Sequence, residues 1–249
     1  PNTMITLGVI FLLVVVILSQ LLRNPPAGYV AAAPAASAKA APAKAMVNME
    51  WREMMKTSQF WLMWLMYFCG AGVGLMLIGT ATKFGKVALG EANAFWIVVV
   101  LALGNAGGRV LAGSMSDKIG RQWTMFIAYT LQAVMVIALI FVKTQAVVLM
   151  LIIALAGANY GANLALYPAA SKDYFGLKNF GLNYGVLFTA WGVGGFVLSY
   201  LNGLVVDAYK VTDAVTGVVD DSKGLTYSLT LAAVIMVVAA LLTFVSRSI

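Results

Sequence analysis

Seven long apolar runs constrain this chain of 249 residues more than any other feature of its sequence. Each run is hydrophobic nearly all round, and about 20 such residues are needed for a helix to cross the hydrocarbon core of a bilayer. The short alternating segments of a membrane β-barrel do not occur. The runs lie at approximately 3–22, 59–81, 93–115, 123–142, 146–169, 181–205 and 225–246. The pattern predicts an all-α membrane protein with seven transmembrane helices.

Composition indicates that lipid is the solvent of this chain, because 62% of its residues are hydrophobic and 10% are charged. Soluble domains carry about a quarter charged residues. Histidine is absent and Cys69 is the single cysteine, which excludes histidine-based metal sites, proton relays and triads, and a disulfide framework. No nucleophile is paired with a base and no Gly-rich nucleotide loop is present. We therefore predict neither an enzyme nor a cofactor, and we interpret the net charge of +7 as basic cytoplasmic loops, not nucleic-acid binding.

Residues 23–58 separate the first two apolar runs and contain the low-complexity stretch AAAPAASAKAAPAKA. Because proline interrupts helices, we expect a flexible connector here. Its end carries Trp51, Met54 and Met55 at helical spacing among charged residues. This pattern is typical of a short amphipathic helix on the membrane surface, and equally of a polar start to the next helix.

Basic residues are distributed unevenly between the two ends of the predicted helices. Ten Lys and Arg residues of the loops fall on the side of the connector and the C-terminus, and five fall on the other side. Since cytoplasmic loops are enriched in Lys and Arg, the connector and the C-terminus are predicted to be cytoplasmic. The chain begins at Pro1 and becomes apolar almost at once, so we expect its beginning to lie elsewhere in a longer protein.

Residues 113–121 read GSMSDKIGR and join the third predicted helix to the fourth. Gly120 permits a tight turn of the backbone. Asp117 can accept hydrogen bonds from a neighbouring helix N-terminus, and Arg121 offers a charged fork. The alternative is a generic basic turn on the cytoplasmic side.

Arg109 is a charged residue in the third apolar run, some seven residues before its cytoplasmic end. At a rise of ~1.5 Å per residue, this depth is about 10 Å. A charge at the middle of a membrane helix costs about 2.5–3.5 kcal/mol and usually has a function. No acidic residue lies inside the seven runs to neutralise it. A guanidinium suits a carboxylate, so we predict that Arg109 binds an anionic substrate; a structural ion pair or a snorkelling side chain is the alternative.

Polar residues on the third and fifth runs extend this candidate site. Asn105 lies four residues before Arg109 and therefore on the same helix face. On the fifth run, Tyr160, Asn163 and Tyr167 recur at helical spacing, as residues lining an interior or a water-filled cavity would. Tyr160 lies near mid-helix, where its hydroxyl can donate to a carboxylate.

On the sixth run, Phe188 and Trp191 share one helix face and can form an apolar wall around the carbon end of a small substrate. Ordinary helix packing is the alternative for both.

The stretches NAGGRVLAGSMSDKIGR, YGANLALYPAASKDYFGLKNFGLNYG and FTAWGVGG together resemble the C-terminal half of a major facilitator superfamily carrier. More closely, they resemble the oxalate/formate-antiporter and monocarboxylate-transporter families, and most of all bacterial lactate transporters. The resemblance implies a helix bundle in which residues 1–22 are the last helix of the N-terminal half. Residues 23–58 would be the cytoplasmic connector and residues 59–249 the C-terminal six-helix bundle.

The same resemblance assigns roles to single residues. The essential arginine of these families, which binds the substrate carboxylate, falls on Arg109. Animal monocarboxylate transporters carry an aspartate where this chain has Asn105, so the proton site is expected in the missing N-terminal half. Oxalate/formate exchangers carry a lysine where this chain has Trp191. One positive charge instead of two favours a monovalent anion over a dianion.

The predicted function is secondary active transport of small monocarboxylates, such as L-lactate and pyruvate, coupled to protons and working by alternating access in the cell inner membrane. Two alternatives remain open: an oxalate/formate-type anion exchanger, and a non-transporting membrane subunit or receptor on the same fold. The predicted substrate-binding residues are Arg109, Asn105, Tyr160, Phe188, Trp191 and Asn163. Those predicted to form the gate, by family resemblance, are Asp117, Arg121 and Gly120.

Overall fold

A computed structural model describes residues 2–21, 48–142, 145–212 and 219–245. The described chain is all-α apart from one short antiparallel β-pair, in which Val211 lies opposite Asp220 and Thr212 opposite Val219. Its helices are α1 (Asn2–Leu21), α2 (Trp51–Met54), α3 (Ser58–Leu89), α4 (Phe95–Ile119), α5 (Arg121–Phe141), α6 (Ala146–Phe175), α7 (Phe180–Ala208) and α8 (Ser222–Val245), with a 3-10 turn at Glu91–Asn93 before α4.

Six helices of the described chain, α3 to α8, are long and apolar enough to cross a membrane. They coincide with six of the seven predicted segments. The apolar stretch of α1, Ile5–Leu21, is shorter. The described chain therefore carries six or seven membrane-spanning helices, and the all-α membrane fold is confirmed. Helix α1 belongs to a compact unit separate from the other helices. Most of the predicted connector, residues 22–47, lies outside the described residues.

Helices α3 and α6 form the centre of the six-helix unit. Within the most apolar stretch of each helix, 61% of α3 and 56% of α6 is buried, against 22% of α4 and 28% of α7. Both helices contribute to the core large side chains with almost no exposure, namely Phe60, Met66, Leu77, Leu149, Ile153 and Leu166. Helices α4 and α7 thus present wide faces that the other helices of this unit leave uncovered.

The crossing of α4 and α6 brings two backbones into direct contact. It is made possible by glycines four residues apart on each helix, Gly104 and Gly108 on α4 and Gly157 and Gly161 on α6. A Cβ atom added at any of the four would lie 2.0–2.4 Å from a backbone carbonyl oxygen of the other helix. Small residues are the usual means of close helix approach in lipid, where hydrophobic burial does not drive association. This crossing fixes the position of α4 against α6.

The charged segment before α3 folds as a separate short helix, α2. A new helix, α3, begins after it. Thr57 caps the N-terminus of α3, because its hydroxyl accepts a hydrogen bond from the backbone N–H of Phe60 at 3.3 Å. Ahead of α2, the Met49 N–H donates to the carbonyl of Phe175 at 3.0 Å, and the Asn183 side chain donates to the Met49 carbonyl at 3.0 Å. These bonds hold the segment against the turn between α6 and α7.

Candidate functional site

The turn between α4 and α5 consists of Gly120 alone, whose φ of +90° is a conformation that favours glycine. The predicted tight turn is therefore confirmed. Across it, Arg121 donates from Nη1 to Asp117 at 2.7 Å and from Nε to Asp173 at 3.0 Å, and it also contacts the Ser116 hydroxyl. Asp117 thus accepts from the side chain that begins α5. Asp173, near the end of α6, is a partner that the sequence did not reveal.

Arg109 lies on α4, ten residues before the last helical residue, Ile119, which corresponds to ~15 Å along the axis. Its side chain is exposed, on a face of α4 that the other helices of the six-helix unit do not cover. Its Nε donates to the side-chain oxygen of Asn105 at 3.2 Å, so the predicted shared face is observed. It makes no ion pair with any carboxylate of residues 48–142, 145–212 or 219–245. The two Nη groups are the part of the guanidinium that can receive an anion.

Asn105 connects the guanidinium to α6. Its backbone and side-chain oxygens lie against Gly161, the residue after Tyr160. Tyr160 is 7% exposed. The crossing of α4 and α6 therefore places Asn105, the partner of Arg109, against the residue that follows Tyr160.

Trp191 connects Tyr160 to α7. Its indole N–H donates to the Tyr160 hydroxyl at 3.0 Å. The Trp191 ring stacks on Phe188 with 5.2 Å between ring centroids and 9° between ring planes, as expected from their shared face. Tyr67 of α3 meets the Phe188 ring edge to face at 6.0 Å. Phe188 and Trp191 remain partly exposed, so they form an apolar wall next to Tyr160.

Asn163 lies elsewhere in the bundle. It is 4% exposed, its NH₂ group donates to the Asn159 carbonyl at 3.1 Å, and its oxygen accepts from the Tyr129 hydroxyl at 3.3 Å. The Tyr129 hydroxyl also pairs with that of Tyr167 at 2.5 Å. One turn beyond Tyr160, α3 and α5 cover this face of α6. Helical spacing predicted that Tyr160, Asn163 and Tyr167 line one cavity. In the structure, Asn163 and Tyr167 instead belong to a buried polar cluster with Tyr129, whereas Tyr160 bonds Trp191.

Within the described residues, six apolar helices are long enough to cross a membrane, and one of them carries Arg109, which forms no ion pair there. Residues 80–248 match the family described as Major Facilitator Superfamily. Because this match covers more than half of the sequence, the chain belongs to the Major Facilitator Superfamily.

Similarity to individual proteins agrees with this assignment. The chain is 31% identical over 144 residues to the MFS-type transporter YhjX of Escherichia coli, covering 57% of this chain and 36% of that protein. It is 33% identical over 141 residues to the oxalate:formate antiporter of Oxalobacter formigenes, covering 55% and 34%. It is 25% identical over 178 residues to protein NUCLEAR FUSION DEFECTIVE 4 of Arabidopsis thaliana, covering 69% and 30%. The chain thus spans about a third of the length of these relatives. The predicted resemblance to an oxalate/formate antiporter is confirmed.

Proposed function

We propose that this chain is the C-terminal part of a secondary transporter of small monocarboxylates, such as L-lactate and pyruvate, which couples their movement to protons. The observation that carries this proposal is Arg109. Its guanidinium lies on an apolar helix about 15 Å from the helix end, is exposed, has no carboxylate partner among the described residues, and is hydrogen-bonded to Asn105. Because an unpaired charge at this depth is costly, an anion that enters from water is the partner that explains it.

Each residue around Arg109 has a distinct role in the proposed site. The Nη groups of Arg109 bind the two carboxylate oxygens in parallel, which a guanidinium does better than an ammonium. Asn105 and Tyr160 donate hydrogen bonds to the polar atoms of the substrate. Phe188 and Trp191 pack against its methyl end, and their partial exposure leaves room for that contact.

The rest of the transporter is proposed to complete the site. Residues 1–22 would be the last helix of an N-terminal half, residues 23–58 the cytoplasmic connector, and residues 59–249 the C-terminal bundle. The uncovered faces of α4 and α7 would meet the N-terminal half, and the two halves would rock around the site between inward-open and outward-open states. The Arg121 bonds to Asp117 and Asp173 would stabilise one of these states at the cytoplasmic side of the cell inner membrane.

Exchange of oxalate for formate is the second candidate, favoured by the 33% identity to the Oxalobacter formigenes antiporter. A dianion calls for a second cation beside Arg109. In the described part of this chain, the position next to Tyr160 is occupied by the neutral Trp191. This observation supports the proposal of a monocarboxylate as the substrate.

Uptake measurements with the full-length protein in proteoliposomes test the proposal. The change Arg109→Lys should reduce uptake of labelled L-lactate at least about tenfold, because one point charge replaces two charge-assisted hydrogen bonds. The matched control Arg52→Lys changes an exposed residue of α2 and should leave uptake unchanged. Uptake near the wild-type rate in Arg109→Lys would refute the assignment.

The same vesicles distinguish the alternatives. Collapse of the pH gradient should slow L-lactate uptake, whereas insensitivity to pH together with competition by oxalate would favour the exchanger. Absence of binding and uptake for every carboxylate tested would favour a receptor or a non-transporting subunit.

A further inference from the structure

The last turn of α6 is held from two sides. One restraint is the ion pair of Arg121 with Asp173, here called the latch, and the other is residues 48–57, here called the strap. We propose that Asn179 and Asn183 are positioning residues of the latch, because they hold the strap against the end of α6 and so keep Asp173 opposite Arg121. The consequence for transport rests on the proposed function, whereas the packing does not.

Met49 of the strap joins the end of α6 to the start of α7. Its N–H donates to the Phe175 carbonyl at 3.0 Å. Its own carbonyl accepts from the side chains of Asn179 at 3.1 Å and Asn183 at 3.0 Å. Asn183 is fully buried, and a hydrogen bond shielded from water is stronger than an exposed one. The backbone of a single strap residue therefore bridges two helices.

Further contacts hold the strap at both of its ends. The side-chain oxygen of Asn48 accepts from the backbone N–H of Lys178 at 3.1 Å, in the turn between α6 and α7. At the other end of the strap, Met54 is completely buried and α2 packs on α7. Segments with buried side chains and internal hydrogen bonds open only at a cost in free energy. We therefore expect the strap and the turn to open together.

The strap and the latch act on the same turn of α6. Asp173 accepts from Arg121 Nε at 3.0 Å, and the Phe175 carbonyl accepts from the strap. These two residues of α6 are about 3 Å apart along the helix axis. The helix ends directly after them, at Gly176, which has a φ of +87°. A displacement of this turn that breaks one contact therefore strains the other.

Pro168 weakens the link between this end of α6 and the rest of the helix. Proline has no N–H, so it cannot donate to the carbonyl of Leu164, and the helical ladder lacks one bond there. Residues 169–175 extend for about two turns beyond this point. Helices bend most readily where a ladder bond is missing. The strap and the latch thus restrain a part of α6 that the helix itself restrains less.

Hydrogen exchange in the full-length protein, read by mass spectrometry with residue-level fragmentation, tests the strap without any substrate. In the wild type, the amides of Met49 and Lys178 should be protected although neither lies in a helix, because they donate to Phe175 and Asn48. Exchange of both at the rate of an unstructured amide would overturn the inference. This measurement needs no variant, so it decides even if a variant fails to fold.

Asn183→Ala removes one bond to the Met49 carbonyl. Amide exchange in residues 172–176 should accelerate roughly two- to tenfold, which corresponds to the loss of one hydrogen bond. Asn202→Ala is the matched control, because Asn202 lies nearer the other end of α7 and accepts from the Ser228 hydroxyl at 2.6 Å. This control should leave exchange in residues 172–176 unchanged. Equal exchange there in the two variants would contradict the proposed role of Asn183.

Uptake of labelled L-lactate by the full-length protein in proteoliposomes tests the connection between strap and latch. Asn183→Ala and Asp173→Asn should change the uptake rate in the same direction, because both weaken the latch. The double variant should change it by less than the product of the separate fold-changes, since a released helix end no longer presents residue 173 to Arg121. A full product would show that the strap acts independently of the latch and would refute the inference.

Absence of monocarboxylate uptake by the wild type would count against the proposed function. The exchange measurements, which need no substrate, would then still decide whether the strap holds the end of α6.

Discussion

A methyl group added at the crossing of α4 and α6 should separate the two halves of the proposed site. In Gly161→Ala, the new Cβ atom would lie 2.1 Å from the backbone oxygen of Asn105 and 2.9 Å from its side-chain oxygen. The backbone oxygen cannot move away unless helix α4 moves with it. Relief of this overlap requires the helices to move apart locally by about 1 Å, and overpacking of this kind costs about 1–3 kcal/mol of stability.

The displacement acts directly on recognition, because Asn105 and Arg109 move with α4 while Tyr160 moves with α6. A misplacement of about 1 Å between groups that hold one substrate can reduce turnover by as much as a hundredfold. We therefore expect Gly161→Ala to reduce lactate or pyruvate uptake at least about tenfold and to lower the thermal unfolding temperature of the detergent-solubilised protein.

Gly107→Ala provides the control on α4. Its added Cβ would meet no atom within 4 Å, and alanine favours a helix over glycine by up to about 1 kcal/mol. This variant should therefore transport normally and unfold at the same or a higher temperature. If Gly161→Ala matched Gly107→Ala in both measurements, the close approach of α4 and α6 would be refuted.

Three further predictions concern other contacts. Tyr129→Phe removes a buried hydroxyl that bonds Asn163 and Tyr167; it should lower stability by about 1–3 kcal/mol in thermal unfolding, with KM for the substrate unchanged. Asp173→Asn weakens a partly exposed ion pair with Arg121, so stability should fall by less than about 1 kcal/mol, while uptake rates should change if the contact stabilises one access state. Cys69 is 5% exposed, so a maleimide reagent should label it in the unfolded protein and not in the native one; rapid labelling of native protein would contradict the described packing.

The membrane-spanning helices could be predicted from the sequence because lipid demands long apolar stretches. The ends of these helices could not be predicted, because hydropathy marks where polar residues begin, whereas a helix can continue through polar residues. The second predicted segment ended at residue 81, whereas α3 continues to Leu89 and stops at Gly90, which has a φ of +77°. Likewise the fifth ended at residue 169, and α6 continues to Phe175 before Gly176, which has a φ of +87°.

Contacts within one helix were predicted well, and contacts between distant helices were not. Asn105 and Arg109 are four residues apart, and helical geometry alone places them together. The bond from Trp191 to Tyr160 joins residues 31 apart in sequence, and that from Arg121 to Asp173 joins residues 52 apart. Such pairs depend on how α6 packs against α5 and α7, which periodicity does not encode.

The glycine crossing also has a mechanical consequence. At this crossing the two backbones are in direct contact, with no layer of side chains between them, so we expect α4 and α6 to move together. In the proposed transport cycle, Arg109, Asn105 and Tyr160 would then keep their mutual distances. If the proposed inward-facing and outward-facing forms differ in affinity, the difference would arise from the N-terminal half. That half would move toward and away from these three residues, whose arrangement stays the same.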